Sequence, residues 1–306
     1  MKILYSSPES EIARVYVAEL NDGSKIEFVE STQPPLSIEE KWVLIISTLK
    51  GCPADCAICD AGGDYKGKLS CNEMLEQIKY MVTNRFADNI PITKKLKIQF
   101  ARMGDPAFND DVLEVLNVLP SMYDPNILFP SISTIAPQGS DDFFQRLIEI
   151  KDRYYSNGKF QLQFSLHTTD ESRRGELIPI RTWDFNKIAE YGALFHKKGD
   201  RKITLNFATP LGYALEPEMI REFFNPERYL IKYTPVNPTR KVINSNFKAL
   251  VDTNNMDVIN IIDLSFKKYG YETIISVGEL EENKIGSNCG MYTENCFRND
   301  RLETTL

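Results

Sequence analysis

The polar and apolar positions along the chain fall into two regimes. Residues 14–20 and 25–30 alternate apolar and polar side chains around Asn21-Asp22-Gly23, the pattern of two half-buried strands joined by a tight turn. After Pro34 and Pro35 the alternation gives way to short apolar runs rich in β-branched and aromatic residues. They lie at 42–47, 96–101, 127–134, 160–167, 202–209, 229–234 and 272–277, and each has strand length. Helical spacing fills the intervals. Met74, Ile78, Met81 and Val82 recur across 73–85 behind a candidate N-cap at Asn72, and further helix-like stretches cover 111–119, 141–155, 185–197, 216–224 and 256–269. Strand alternating with helix predicts parallel βαβ units. Six or more such units predict a closed or partly closed barrel, with a doubly wound sheet as the alternative.

The strand ends favour the barrel. Gly51-Cys52-Pro53 follows the first run, Arg102-Met103-Gly104-Asp105-Pro106 follows the second, Ser133-Thr134 closes the third, and Ser165-Leu166-His167-Thr168 closes the fourth. Thr209-Pro210-Leu211-Gly212-Tyr213 and Thr234-Pro235-Val236-Asn237-Pro238 continue the series. The carboxyl ends of the strands form the functional face of parallel α/β folds, so these clusters are expected to meet at one mouth. The expected architecture is α/β: a partial (β/α)6 TIM-like barrel over residues 41–306, preceded by a β-hairpin extension in residues 1–40.

Composition then narrows the chemistry. The 306 residues are 42% hydrophobic and 26% charged, a globular balance that excludes disorder. Lys plus Arg number 36 against 43 Asp plus Glu, and a net charge of -7 repels a phosphate backbone, so a dedicated nucleic-acid binder is not expected. No apolar run reaches the roughly 20 residues that span a bilayer, and residues 1–7 lack a signal-peptide core. A cytoplasmic protein without a membrane partner is expected. Six cysteines in such a chain point to a metal or to catalysis rather than to disulfides.

Cys52, Cys56 and Cys59 form a C-x3-C-x2-C triplet in the loop that leaves the first barrel strand. Thiolates are soft ligands suited to iron-sulfur clusters or zinc. A zinc-bearing binding module would recruit Cys71 as the fourth ligand. A four-iron cluster on the triplet alone keeps one iron open for a substrate or cofactor.

At this point the residues resemble a known family. A C-x3-C-x2-C triplet after the first strand of a βα barrel resembles the radical S-adenosyl-L-methionine (SAM) superfamily, and the ordered motifs resemble its RlmN and Cfr family of RNA adenine methyltransferases. The segment from Gly51 to Cys59 is similar to that family's cluster loop, and Met103-Gly104-Asp105-Pro106 to its Met-Gly-Glu-Pro motif. Ser133-Thr134 is similar to a Ser-Thr-Ser-Gly segment, and Ser165-Leu166-His167 with Arg173 and Ile178-Pro179-Ile180 to a Ser-Leu-His, Arg, Val-Pro-Ile stretch. Thr234-Pro235-Val236-Asn237-Pro238 is similar to Ile-Pro-Trp-Asn-Pro, and Asn288-Cys289-Gly290 to Ala-Cys-Gly. The series runs in order over roughly residues 13–293.

The resemblance implies a radical SAM barrel with a 4Fe-4S cluster on Cys52, Cys56 and Cys59. It implies SAM held by Gly104, Asp105, Ser133, Ser165, His167 and Asn237, and reductive cleavage of SAM to a 5′-deoxyadenosyl radical. Arg173 or Arg174 near the mouth would pair with the SAM carboxylate or a substrate anion. Cys289 would be the catalytic, methyl-bearing residue, on a C-terminal loop over the mouth, and the reaction would be methyl transfer to an unactivated carbon. A reductant of flavodoxin or ferredoxin type is the expected partner.

Two departures redirect the substrate. The family's second catalytic cysteine stands seven residues before the first cluster ligand, removes a proton from the adduct and forms the disulfide that releases product. Ile45 occupies that position here and has neither acid-base nor thiol chemistry. Cys296 is the candidate replacement thiol, and Cys71 reads as a helix-start residue. No counterpart of the family's N-terminal RNA-binding domain is expected ahead of the hairpin. With the net charge of -7, these departures favour a small-molecule or nucleotide-like substrate over ribosomal RNA. Within enzymes, the alternative is a different radical rearrangement in which Cys289 donates hydrogen, becomes a thiyl radical or binds an auxiliary centre.

Overall fold

The computed structural model describes residues 1–8, 10–32, 35–245, 247–251, 256–276, 280–288 and 290–292. Strand β1 (Lys2–Ser6) pairs antiparallel with β2 (Ala13–Glu19), which pairs antiparallel with β3 (Lys25–Ser31). The turn between β2 and β3 sets Glu19 opposite Lys25 and holds Gly23 at φ 79°, so the hairpin forms as the alternation predicts. Strand β1 was not legible. It is a half-exposed edge strand with no clean alternation.

Strand β3 pairs antiparallel with β4 (Trp42–Ile46), Val29 facing Ile45, and thereby joins the hairpin to the parallel part of one sheet. Two short strands, β5 (Leu49–Lys50) and β6 (Gly67–Lys68), pair with each other on either side of the cysteine loop. Then come α1 (Cys71–Arg85), β7 (Leu96–Phe100), α2 (Asp111–Met122), β8 (Leu128–Thr134), α3 (Asp141–Tyr154) and β9 (Gln161–Ser165). The chain continues through α4 (Arg174–Leu177), α5 (Phe185–Phe195), β10 (Ile203–Phe207), α6 (Pro217–Arg221) and β11 (Tyr229–Tyr233). It ends with α7 (Arg240–Ser245), α8 (Met256–Lys268), β12 (Glu272–Ile275) and α9 (Leu280–Ile285). The sheet order is β1-β2-β3-β4-β7-β8-β9-β10-β11-β12, parallel from β4 onward. Every apolar run read from the sequence is one of these seven parallel strands, so six units become seven. The order is linear, with β1 and β12 as edges, so the sheet is open among the described residues.

The two faces of the sheet explain its shape. On one face Leu96, Ile98, Phe100, Leu128, Ile132, Phe164, Ile203, Leu205 and Phe207 are buried in a single core with the apolar stripes of the helices, including Met74, Ile78 and Met81 of α1. The other face carries Ile45, Gln99, Ser133, Gln163, Ser165, Asn206 and Lys232. These residues come from six successive parallel strands and line one cavity of ≈ 270 Å³. Six strands laid flat would spread over about 24 Å, so sharing one small cavity requires the sheet to curl around it.

Helix α1 begins two residues before the point where periodicity alone put it. Ser70, not Asn72, is the N-cap: its hydroxyl accepts the Glu73 N–H at 3.2 Å and the Glu73 carboxylate accepts the Ser70 N–H at 2.7 Å. Cys71 is therefore the first residue of the helix, as its reading as a helix-start residue implies. The same helix anchors the loop that matters most. Gln77 is fully buried; its Oε1 accepts the Ser47 N–H at 2.9 Å and its Nε2 donates to the Ser47 carbonyl at 3.1 Å. Asn109 Nδ2 donates to the carbonyls of Thr48, at 2.8 Å, and Leu69, at 2.7 Å, closing the base of the cysteine loop. Replacing Gln77 with Leu orphans a buried N–H and a buried C=O, and urea unfolding of Gln77→Leu is expected to show a loss of about 2–4 kcal/mol.

Candidate active site

The chain leaves β4 into a loop whose turns are dictated by close backbone approaches. Gly51 sits at φ 79°, and a Cβ there would lie 2.2 Å from the Asp64 carbonyl oxygen, so only glycine fits. The loop presents the thiols of Cys52, Cys56 and Cys59 on the wall of the cavity, none of them in a disulfide. Its outer side is tied to the segment after β11. The Asp60 carboxylate accepts the Arg240 and Lys241 N–H groups at the start of α7, and Lys241 Nζ reaches Asp55 at 2.5 Å and the Cys56 carbonyl at 3.0 Å. Burial pushes the Cys52 thiol up and the Cys56 thiol well up, and Cys59 and Cys52 push Cys56 in the same direction. Three thiolates this close need a positive centre between them.

The donor set fits an iron-sulfur cluster: three soft ligands on one loop facing a cavity. Among the described residues, no three His, Cys, Asp or Glu side chains converge tightly enough for a single ion. The four-cysteine zinc arrangement also lacks its fourth member. Cys71 packs on the main core, its N–H donates to Asp111 at 2.9 Å, and it does not line the cavity.

All the described residues expected to bind SAM line the same cavity: Gly104, Asp105, Ser133, Ser165, His167 and Asn237. Gly104 is at φ 87°, and a Cβ there would lie 2.4 Å from the Leu49 side chain, so its contribution is close backbone approach. Asp105 is only 8% exposed and accepts three hydrogen bonds, from Ala107 N–H at 2.9 Å, Thr134 hydroxyl at 2.8 Å and Ile135 N–H at 2.6 Å. Burial nevertheless raises its pKa to about 6, against the pull of these donors. A carboxylate has about four acceptor positions, which leaves one for a ligand.

His167 adopts φ 67°, uncommon for a residue with a side chain. Its Nδ1 accepts the Ala208 N–H at 3.2 Å, which puts the imidazole proton on Nε2. Burial, with Arg174 nearby, lowers its pKa to about 3, so it is a neutral donor at pH 7.

The arginines are elsewhere. Arg173 pairs with Glu176 at 2.9 Å, and Arg174 donates to Thr182 and to the carbonyls of Trp183, Ile135 and Ser165. Neither lines the cavity, and the expected anion contact is corrected for both. Arg174 acts as an internal clamp between strand ends.

Sequence reading missed Arg102, Gln99, Gln163, Asn206 and Lys232, all of which line the cavity. The available signal was the polar residue at every second position in Leu-Lys-Ile-Gln-Phe and Gln-Leu-Gln-Phe-Ser. Arg102 is the most connected. It is buried, it pairs with buried Glu27 at 2.7 Å, and it donates to the carbonyls of Gly286, Ser287 and Asn288 at 2.8, 3.1 and 3.3 Å. Tyr292 lies under its guanidinium, 4.8 Å from the ring centroid, and donates its hydroxyl to the Arg102 carbonyl. Cys289 and Cys296 lie outside the described residues. Ser287, Gly290 and Tyr292, on either side of position 289, line the cavity, and the Gly290 carbonyl accepts the Asp60 N–H at 3.0 Å. Ile45 also lines the cavity, so a thiol is missing from a position that faces the site. A larger cleft of ≈ 630 Å³ at the hairpin, lined by Arg14, Glu30, Trp42 and Arg85, contains none of the expected residues.

No protein-family model matches the chain. A relative named "Probable dual-specificity RNA methyltransferase RlmN" from Treponema denticola is 27% identical over 255 residues, covering 82% of this chain and 68% of the relative. A "Ribosomal RNA large subunit methyltransferase Cfr" from Clostridium botulinum is 30% identical over 178 residues, covering 57% of this chain and 46% of the relative. The fold is similar to that of a radical SAM methyltransferase from Sphaerobacter thermophilus, with a TM-score of 0.73 at 16% identity, over 95% of this chain and 80% of the other. In sequence the chain is similar to the RlmN and Cfr methyltransferases, and in fold to a radical SAM methyltransferase. Radical SAM methyltransferases use a 4Fe-4S cluster and SAM, and the three thiols and the strand-end groups are the residues of this chain that fit them. Among the described residues no helix is long and apolar enough to cross a membrane.

Arg102→Met leaves Glu27 buried without its guanidinium and frees the carbonyls of 286–288. It is expected to cost about 3–5 kcal/mol in denaturant unfolding. Limited trypsin digestion should show faster cleavage C-terminal to residue 280, and adding Glu27→Gln should restore part of the stability but not the protection.

Proposed function

We propose that this enzyme cleaves SAM reductively at a 4Fe-4S cluster on Cys52, Cys56 and Cys59, and transfers a methyl group through Cys289 to an unactivated carbon of a small or nucleotide-like substrate. The observation that carries the reading is the convergence of the three thiols with Asp105, Ser133, Ser165, His167 and Asn237 on one cavity at the carboxyl ends of the strands. When bound, the cluster supplies the electron that splits SAM into methionine and a 5′-deoxyadenosyl radical.

The chain's own residues hold and orient. The free acceptor position of Asp105 receives the SAM amino group, and the Nε2–H of neutral His167 donates without adding charge. Ser133, Ser165 and Asn237 supply hydroxyl and amide groups from three different strand ends. Arg102 straps the chain just before position 289 to the mouth, which suits a methyl-bearing thiol and helps exclude water from the radical.

The relatives carry RNA in their names. The net charge of -7 supports a smaller substrate here, and Ile45 on the cavity wall favours, as a second reading, a radical reaction without disulfide release.

The test is anaerobic reconstitution followed by dithionite reduction with SAM. The account expects brown protein, 5′-deoxyadenosine as product, a fall of at least about 100-fold in each Cys→Ala variant of the triplet, and methylation of the peptide containing Cys289. A colourless, zinc-loaded protein that leaves SAM intact would contradict the cleavage reaction. An unmodified Cys289 under productive cleavage would favour the second reading, and methyl incorporation into added RNA but not into nucleotides would overturn the substrate class.

A further inference from the structure

The inner face of the curled sheet is staggered in a regular way. Gln99 of β7 faces Ser131 on β8, while Gln163 of β9 faces Ser133, two residues further along the same strand. Gln163 faces Thr204 on β10, while Lys232 of β11 faces Asn206, again two residues further. A stagger of two residues for every two strands is the shear of a β/α barrel, in which tilted strands bring side chains from alternate strands to a common height. Gln99, Gln163 and Lys232 therefore share one layer, and all three line the cavity. Such layers are ordinarily filled by branched apolar residues. Here the layer is polar.

Its two glutamines differ from the amides that hold the fold. Gln77 has both ends of its amide bonded to Ser47, and Asn206 Oδ1 accepts the Thr234 hydroxyl at 2.7 Å. Gln99 and Gln163 are half-buried on the cavity wall, and among the described residues neither carboxamide has a hydrogen-bond partner. Each carboxamide offers a C=O acceptor beside N–H donors in one plane. A ligand that covers them must answer both kinds of group, because a polar group buried without a partner costs free energy. A carboxylate or phosphate supplies acceptors alone and leaves both amide oxygens unanswered. A planar edge with an N–H beside a C=O answers the whole amide, as in a bidentate pair.

We propose that Gln99 and Gln163 are specificity-determining residues that read the substrate through a planar, uncharged edge carrying an N–H beside a C=O, either a carboxamide or the lactam of a heterocycle. The inference rests on the cavity being the active site. It deepens that reading by naming the chemical group that the substrate turns toward the barrel interior.

The experiment is scanning calorimetry of the full reconstituted chain without reductant, with and without SAM, and with uracil, nicotinamide, nicotinate or ribose as probe. Uracil supplies the lactam edge and nicotinamide the carboxamide, whereas nicotinate replaces the amide with acceptors alone and ribose supplies hydroxyls. Uracil, nicotinamide or both are expected to raise the unfolding temperature by about 2–4 °C at saturation, and nicotinate and ribose to leave it unchanged. Gln99→Leu and Gln163→Leu are each expected to lose that gain while keeping the stabilisation by SAM, because leucine is an ordinary occupant of a barrel layer. A gain with uracil alone assigns a heterocycle, and a gain with nicotinamide alone assigns a carboxamide. No gain with either, an equal gain with nicotinate or ribose, or an undiminished gain in either variant overturns the proposal. Loss of the SAM stabilisation in either variant also overturns it, since the amide then belongs to the SAM site. No SAM is cleaved in these measurements, so failure of the proposal leaves the cleavage reaction standing, and failure of cleavage leaves the probe result standing.

Discussion

Ser47 ends β4 with its N–H, carbonyl and hydroxyl all buried, and each must be hydrogen-bonded for the loop behind it to hold one shape. Gln77 takes the first two from the underlying helix. The hydroxyl donates to the Glu27 carbonyl of the hairpin and accepts the Met103 N–H of the next strand end. A single residue therefore fixes the hairpin, the cysteine loop and the Gly104-Asp105 turn relative to one another. Thr48 and Leu49 repeat the pattern by donating their N–H groups to the Met103 carbonyl. Three thiols on an irregular loop can face one cavity because the backbone on which the loop starts has little freedom left.

From that anchor the rest follows from a division of faces. The strands turn apolar side chains to the helices and polar ones to a shared interior, so the interior is a binding space rather than a packed core. Thiols and a carboxylate with a raised pKa sit on the loops at the carboxyl ends, and amides, hydroxyls and Lys232 come from the strands themselves. Arg102 and Glu27, buried and paired, connect this interior to the C-terminal segment. A ligand entering the mouth meets a site whose polar groups are already oriented, as preorganised catalysis requires.

Much of this was legible in the sequence, for identifiable reasons. The seven parallel strands are short apolar runs bounded by polar clusters, and buried strands leave that trace whatever surrounds them. The run that became β12 was among the seven, although β12 is a mostly exposed edge strand of four residues. Strand β1 was invisible because, half-exposed at the edge, it has no burial pattern to show. The N-cap of α1 went to Asn72 on periodicity, although Ser70-Cys71-Asn72-Glu73 spells out a capping box. At the site, the expected residues were those in motifs, and the three described thiols and six expected SAM-binding residues line the cavity, whereas Arg173 does not. Arg173 and Arg174 looked like ligands for an anion because sequence cannot show that backbone carbonyls and Glu176 already occupy them. Lys232 was passed over because a polar residue inside an apolar run reads as solvent-facing until the sheet is seen to curl.

The central claim is that one cavity, lined by Cys52, Cys56 and Cys59 and by the strand-end groups, would hold the cluster and SAM in contact. Electron-nuclear double resonance on the reduced, reconstituted protein tests it most directly, using SAM labelled with nitrogen-15 at the methionine amino group. The account predicts a nitrogen coupling to the cluster spin that appears with labelled SAM and changes with the isotope. A cluster spectrum unaltered by SAM, with no coupling to the label, would contradict it.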